Sequence, residues 1–218
     1  MAKGFFVTGT DTSVGKTTVS CALLRAFAAQ GYRVAGMKPI AAGRENGQWQ
    51  DVELLLAASN VNVTRKQINP YALEAPISPH LAAQQEDITI DLSLVNDCYR
   101  QLSMQADIVI VEGAGGFLVP LNDSQTGEDL AKILGLPVIL VVGMRLGCLN
   151  HALLTTGAIS AARLSLVGWI ANCIQSPMVA VTENIATLEQ RLQAPLLGIL
   201  RFGEQTDGFI AVPKVLVR

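Results

Sequence analysis

The feature that most constrains this chain is a glycine-bounded loop between a strand-like run and a helix-like run near the start of the sequence. The loop and its flanks read Val7-Thr8-Gly9-Thr10-Asp11-Thr12-Ser13-Val14-Gly15-Lys16-Thr17-Thr18. Residues 4–8 predict a buried strand, and residues 17–30 have the apolar spacing of an amphipathic helix that ends before Gly31. Such a loop presents backbone N–H groups at a helix N-terminus, where the helix dipole favours an anion. The order of elements therefore predicts a phosphate-binding loop.

The two residues that end this loop are expected to carry its chemistry. Lys16 would reach the β- and γ-phosphates of a nucleotide, and Thr17 would ligate Mg²⁺. The spacing departs from the usual pattern, because five residues separate Gly9 from Gly15 rather than four, so that Thr10 stands at the usual first-glycine position. On the motif alone, an ordinary turn that happens to contain a lysine remains an alternative.

Strand-like and helix-like runs alternate along the chain. The strand-like runs are 4–8, 33–37, 107–111, 137–142, 165–171 and 195–200, and helical periodicity occurs at 91–105, 148–163 and 179–193. The alternation predicts an α/β fold, a mostly parallel sheet with helices on both faces. Residues 38–80 contain the proline and asparagine signals of a loop-rich insertion, and the tail after Leu200 has no clear pattern.

Composition favours one soluble domain. The 218 residues, 50% of them hydrophobic and 16% charged, are enough to bury a core. A net charge of −2 with scattered basic residues argues against nucleic acid as a partner. No leader precedes the first strand, and the longest apolar run, Leu136–Val142, is too short to span a bilayer, so we expect a cytoplasmic protein with no membrane partner. Zinc and disulfide frameworks are not expected, because no Cys-x-x-Cys pair occurs among Cys21, Cys98, Cys148 and Cys173.

Three polar residues follow predicted strands at the sheet edge where open parallel sheets bind ligands. Glu112 follows a buried apolar run and is expected to hold Mg²⁺ directly or through water, the alternative being a capping or salt-bridged glutamate. Lys38 precedes Pro39, which favours an extended lysine aimed over the sheet edge. A cation that neutralises phosphoryl or carboxylate charge and a solvated surface lysine are equally open for Lys38. Asn172 follows the run 167–171 at the same edge.

Other segments have weaker signals. The glycines of residues 113–116 permit close backbone approach to an anion or a substrate. Asp51 precedes an apolar run and, on the residues alone, is expected to cap a helix. Residues 147–151 precede a periodic helix, so their N–H groups predict a second anion site suited to a carboxylate. His80 and His151 have no companions that suggest catalysis and are given no catalytic role.

Taken together, these segments closely resemble the dethiobiotin synthetase family. The segments that carry the resemblance are Val7–Thr17, Lys38-Pro39, Glu112–Gly116, Pro137–Val141 and Gly147–His151, and it extends from residue 3 to about residue 200. The resemblance implies a three-layer P-loop NTPase-like domain over residues 1–218. It also implies the ATP- and Mg²⁺-dependent carboxylation and ring closure of 7,8-diaminononanoate in biotin synthesis. In that reaction the diamine and CO₂ form a carbamate, whose oxygen attacks the γ-phosphorus of ATP, and the second amine closes the ureido ring as phosphate leaves.

The resemblance further implies roles for individual residues. Metal binding would fall to Thr17, Asp51 and Glu112. The catalytic residues, which contact phosphate and carbamate oxygens, would be Lys16 and Lys38. The nucleotide site would comprise Gly9, Asp11, Thr12, Ser13, Val14, Gly15, Lys16, Thr17, Thr18, Glu112, Gly115 and Asn172, the last at the adenine. The substrate site would comprise Lys38, Ala42, Gly115, Gly147, Cys148, Leu149 and Asn150.

Two consequences concern the subunit arrangement and the local contacts. Because residues 147–150 come from a neighbouring subunit in this family, the resemblance implies a homodimer with the substrate carboxylate at the interface. The chain also departs from the family pattern at two positions. Ser13 stands where some members carry Glu, and Ala42 stands where Ser is common.

Two other classes of phosphate-loop protein share part of the pattern. A nucleotide-driven switch or partitioning ATPase, which acts on a protein partner, typically has a second lysine early in the loop, where this chain has Thr10. A glutamine-dependent amidase of corrinoid synthesis would need a glutaminase domain, for which the 218 residues leave no length. The switch is therefore the alternative function.

Overall fold

The computed structural model describes residues 3–175, 178–203 and 211–212. Its strands are β1 (Lys3–Gly9), β2 (Val34–Met37), β3 (Ile40–Ala42), β4 (Tyr71–Leu73), β5 (Ile108–Glu112), β6 (Val138–Gly143), β7 (Leu166–Asn172) and β8 (Leu196–Leu200). Its helices are α1 (Lys16–Ala29), α2 (Gln50–Ala58), α3 (Arg65–Ile68), α4 (Pro79–Gln85), α5 (Leu92–Gln105), α6 (Gly127–Leu134), α7 (Cys148–Ala161) and α8 (Val181–Arg191).

Six strands form one parallel sheet in the order β2-β5-β1-β6-β7-β8. The central strand β1 pairs with β5 and β6, so that Phe6 lies beside both Val111 and Val138. Successive side chains of a strand point to opposite faces. Phe5 accordingly packs against α1, where its ring stacks on Phe27 at 5.9 Å, and Phe6 belongs to the core on the other face. The predicted parallel sheet with a core on both faces is confirmed.

The insertion predicted over residues 38–80 is present, but it contains more regular structure than a loop-rich segment would. This region contains β3, α2, α3, β4 and the start of α4, and β3 and β4 pair in a separate parallel sheet of two strands. Each of these strands has only three residues, which is too short for a periodic pattern to be visible. Their pairing buries Ile40 and Leu73, so tertiary packing defines them.

Helix α6 was not among the predicted elements. The signal for it is the capping box at its start, where the Thr126 hydroxyl and backbone N–H both contact the carboxylate of Asp129. Most of the tail after Leu200, which showed no clear pattern, lies outside the described residues. Within the described part, none of the helices is both long and apolar enough to cross a membrane. Cys21, Cys98 and Cys148 are buried, and Cys173 is partly exposed.

The carboxyl ends of the parallel strands meet at one edge of the sheet. There β1 ends at Gly9, β5 ends at Glu112 and β7 ends at Asn172, while Lys38 directly follows β2. Strands β2, β5 and β1 are neighbours in the sheet and β6 alone separates β1 from β7, so their ends lie close together. The fold therefore places the predicted polar residues around the start of α1, where a phosphate would bind.

Candidate active site

The phosphate-binding loop connects β1 to α1, and α1 begins at Lys16. Gly15 is the N-cap of α1 and has a φ of 85°, a left-handed conformation. A Cβ at this position would lie 2.0 Å from Nδ2 of Asn172, which donates a hydrogen bond of 2.7 Å to the Val14 carbonyl oxygen. Glycine is therefore needed here both for its conformation and for the close approach of β7.

Lys16 is folded against the loop that precedes it. Its Nζ donates to the carbonyl oxygen of Asp11 at 2.9 Å, and its side chain is largely buried. Burial lowers the pKa of Lys16 to about 8, and the positive charge of Lys38 acts in the same direction. Because a phosphate would stabilise the charged form, the electrostatics of Lys16 suit a nucleotide at this loop.

Lys38 is the cation of a buried ionic cluster at the end of β2. Its Nζ lies 2.5 Å from Oε1 of Glu112 and 2.9 Å from Oδ2 of Asp51, and Thr17 donates from Oγ1 to the same Glu112 oxygen at 2.8 Å. Lys38 is 5% exposed and Glu112 is 0% exposed. Burial lowers the pKa of Lys38, but the charges of Glu112 and Asp51 outweigh it, so the pKa is raised. The alternative of a solvated surface lysine is therefore wrong.

The backbone around Lys38 is held by the insertion. The Lys38 N–H donates to the Ile68 carbonyl oxygen at 2.9 Å, and Nδ2 of Asn69 donates to the Lys38 carbonyl oxygen at 2.7 Å. Lys38 thus reaches across the end of β5, at the edge of the sheet, where its Nζ pairs with Glu112.

Asp51 does not cap α2, contrary to the prediction from its sequence position. The N-cap is Trp49, and Asp51 lies in the first turn with its carboxylate on Lys38. Burial raises the pKa of Asp51, but the charge and the hydrogen bond of Lys38 outweigh it, so the pKa is lowered. The Asp51 carboxylate is therefore part of the ionic cluster and does not cap α2.

The oxygen atoms of this cluster fit a magnesium ion. Oε2 of Glu112 is buried and has no hydrogen-bond partner among the described residues, so one carboxylate oxygen is left for a cation. The Asp51 carboxylate and the Thr17 hydroxyl lie beside it. The described residues contain no group of three or more His, Cys, Asp and Glu side chains suited to a metal. A site with few protein ligands is typical of Mg²⁺, which keeps several waters and binds substrate phosphates.

A cavity of about 810 Å³ opens in front of the loop and the cluster. The predicted site residues that line it are Thr12, Ser13, Gly15, Lys16, Thr17, Thr18, Lys38, Ala42, Asp51, Glu112 and Gly115. Sequence reasoning missed its apolar wall, which consists mainly of Trp49, Leu54, Pro76, Ile77, Pro79 and Val119. The local signal for that wall is the pair of prolines, because Pro76 lies between β4 and α4 and Pro79 starts α4. The cavity thus has an ionic end and an apolar end.

The remaining predicted residues lie outside this cavity. Gly9 and Val14 are part of the loop backbone, with the Val14 side chain buried in the core, and Asn172 contacts that backbone from behind. The Asp11 carboxylate accepts from the Thr12 N–H and pairs with Arg145.

The four predicted residues at the start of α7 also lie outside the cavity. Gly147 is the N-cap of α7, with a φ of 93°, and residues 148–151 form its first turn rather than preceding the helix. Cys148 is buried. The first turn of α7 does not line the cavity, and the anion site at its N–H groups stays a prediction.

The comparisons with known proteins agree with this geometry. Residues 3–208 match the AAA domain family. The chain is 61% identical to the ATP-dependent dethiobiotin synthetase BioD of Nitrosospira multiformis, over 95% of this chain and 92% of that protein. It is 49% identical to the protein of the same name from Ralstonia nicotianae, over 96% of this chain and 93% of that one. The chain belongs to the dethiobiotin synthetase family. The family resemblance seen in the motifs is thus confirmed.

Solved structures of lower identity show that the fold is more widespread than the family. The signal recognition particle receptor FtsY of Elizabethkingia anophelis aligns with a TM-score of 0.57 at 18% identity, over 94% of this chain and 60% of that chain. The MinC:MinD cell division complex of Aquifex aeolicus aligns with a TM-score of 0.57 at 17% identity, over 92% and 81%. These similarities confirm the P-loop NTPase-like fold predicted for this member of the dethiobiotin synthetase family.

Proposed function

We propose that this chain catalyses the ATP-dependent carboxylation and ring closure of 7,8-diaminononanoate to dethiobiotin, as a single catalytic domain over residues 1–218. The observation that carries the proposal is the placement of Lys38. It is a buried cation within contact of Glu112 and Asp51, beside the phosphate-binding loop and at the ionic end of the cavity. The names of the relatives and the chemistry of the cavity thus support the same ligase reaction.

The two lysines account for the charge that this reaction develops. A carbamate and a triphosphate are both anionic, so their approach needs cations at the point of transfer. Lys16 is held at the start of α1 and Lys38 at the end of β2, and both line the same cavity. We assign Lys16 to the phosphates and Lys38 to the carbamate and γ-phosphate oxygens. Positioning and charge neutralisation then account for catalysis without an acid–base triad.

Thr17, Asp51 and Glu112 would hold Mg²⁺. When bound, the ion would neutralise phosphate charge during the transfer. The ammonium of Lys38 contacts the same two carboxylates, so it competes with a metal for Glu112 and Asp51. A metal bound to these carboxylates would repel the Lys38 ammonium, because both are positively charged. Lys38 would then be available to the anionic groups of the substrates.

The apolar wall fits the hydrocarbon chain of the diamine. At position 42 this chain has Ala, so the hydroxyl of the Ser that is common in the family is missing from the cavity. The substrate carboxylate would bind at the start of α7 of a second subunit, in a homodimer. Supporting this arrangement, Leu146 is 96% exposed directly before the N-cap, and Leu154 is exposed on the same helix. Large apolar side chains exposed together are typical of an interface. Asn172, which contacts the loop backbone, would lie at the adenine.

The test is a product assay with purified protein, the diamine, bicarbonate, ATP and Mg²⁺. We expect dethiobiotin, detected by mass spectrometry, only when all four are present. ATP hydrolysis that does not need the diamine but rises with a protein partner would instead support the switch, the alternative function. Against that alternative, Thr10 stands in place of the second lysine, and its hydroxyl accepts from the Gly143 N–H at 3.4 Å.

A further inference from the structure

The side chain of Trp49 is held in place by two neighbours. Its indole N–H donates to the carbonyl oxygen of Leu73 in β4 at 2.8 Å. The guanidinium of Arg44 lies over the ring, 5.1 Å from its centre, and Arg44 also pairs with Glu74 at 2.8 Å. A cation at this distance is attracted to the face of the indole ring. The ring therefore connects the segment before α2 to the small β3–β4 sheet.

The same residue starts the helix that carries Asp51. Trp49 is the N-cap of α2, and its carbonyl oxygen accepts from the N–H groups of Val52 at 2.9 Å and Glu53 at 3.1 Å. Its side chain packs with the cluster of Ala41, Val52 and Ile68. The anchoring of the indole ring thus fixes where α2 begins and how its first turn is rotated.

The rotation of that first turn decides whether Asp51 reaches the site. Successive residues of a helix are about 100° apart around the axis, so a change of one residue in the start of α2 would turn the carboxylate away. The ion pair with Lys38 spans only 2.9 Å, which leaves little tolerance. No other carboxylate of α2 replaces it, since Glu53 pairs with Arg65 on the outside of the insertion.

We propose that Trp49 is a positioning residue that orients Asp51 for the metal and for Lys38. This inference rests on the proposed function, because it takes Asp51 to be a metal ligand. Trp49 also lines the apolar wall of the cavity. A tryptophan at this point therefore links the apolar end of the cavity to the ionic end, through the first turn of α2.

The experiment measures Mn²⁺ affinity by electron paramagnetic resonance, with ADP bound, in Trp49→Phe, Trp49→Ala and Asp51→Asn. Trp49→Phe keeps a ring but loses the N–H donor, so we expect Mn²⁺ affinity to fall by roughly twofold to tenfold, as for one neutral hydrogen bond. Trp49→Ala should lower it further, toward the level of Asp51→Asn. Gln48→Ala, an exposed neighbour whose side chain does not line the cavity, is the control and should bind Mn²⁺ normally.

The double variant Trp49→Ala/Asp51→Asn separates positioning from a general loss of structure. If Trp49 acts through Asp51, the double variant should bind Mn²⁺ no more weakly than Asp51→Asn. Normal affinity in both Trp49 variants, or additive losses in the double variant, would overturn the proposal. If Asp51→Asn itself binds Mn²⁺ normally, the metal assignment in the proposed function fails, and the role of Trp49 fails with it. Trp49→Phe, as the milder change, keeps the test valid if Trp49→Ala does not fold.

Discussion

Replacing Lys38 with Met should destabilise the protein, because it leaves the Glu112 carboxylate without its cation. Lys38→Met removes an ammonium 2.5 Å from a carboxylate that is fully buried. Breaking a buried ion pair by removing one partner costs about 3–5 kcal/mol. Thr17 still donates to Glu112 and Lys16 remains nearby, so we expect the lower end, about 3 kcal/mol. For a chain of this length that corresponds to a fall in Tm of about 6–12 °C.

Glu112→Gln should lower the free energy of unfolding less than Lys38→Met does. This difference between the two variants is the more discriminating part of the prediction. Glu112→Gln leaves Lys38 with the Asp51 carboxylate at 2.9 Å, which is partly exposed and can follow the lysine. We expect a loss of about 1.5–2 kcal/mol for Glu112→Gln, the lower end of the value of a hydrogen bond to a charged group. The double variant Lys38→Met/Glu112→Gln buries no unpaired charge at this pair. It should therefore be more stable than Lys38→Met alone, by about 1–2 kcal/mol.

The assay is equilibrium urea unfolding followed by far-ultraviolet circular dichroism, without nucleotide or Mg²⁺. Lys66→Met is the matched control, because Lys66 is an exposed lysine of α3 and surface substitutions usually change stability by less than about 0.5 kcal/mol. A loss below about 1 kcal/mol for Lys38→Met, or losses of the two single variants that simply add in the double variant, would refute the electrostatic reasoning.

Three further outcomes follow from the site geometry. Lys16→Ala should lower kcat/KM by roughly a hundredfold or more in the dethiobiotin assay, as expected when a preorganised charge is removed. Gly15→Ala should abolish ADP binding in calorimetry, since its Cβ would lie 2.0 Å from Asn172 and its φ is 85°; native affinity would contradict the loop geometry. Iodoacetamide at neutral pH should alkylate Cys173 before Cys21, whose pKa is raised by burial to about 11, as peptide mass spectrometry would show.

The parts of the site that could be predicted from the sequence are those encoded in contiguous residues. The loop that ends in Gly15 and Lys16 lies between a strand and a helix, so its local order is sufficient to identify it. Glu112 follows an apolar run long enough to be recognised as a buried strand. The parallel topology then brings these segments together, because the ends of parallel strands share one edge.

The parts that could not be predicted depend on tertiary contacts within the insertion. Strands β3 and β4 have three residues each and exist because they pair with each other. Asp51 looks like a helix cap in sequence, and only the neighbouring Lys38 gives its carboxylate another partner. The importance of Trp49 likewise depends on Leu73 and Arg44, which are distant or unremarkable in sequence. Such contacts leave no periodic pattern for sequence reasoning to detect.

The energetics of the cluster also favour a functional role over a structural one. A buried pair such as Lys38 and Glu112 gives little net stability, since apolar residues of similar volume often do as well or better. Two lysines close enough for Lys38 to lower the pKa of Lys16 add a repulsion that a purely structural core would avoid. An anionic ligand offsets this repulsion, because its negative charge would stabilise the charged form of Lys16, whose ammonium donates to a carbonyl oxygen rather than to a carboxylate. Binding of an anionic ligand at Lys16 should therefore stabilise the folded protein.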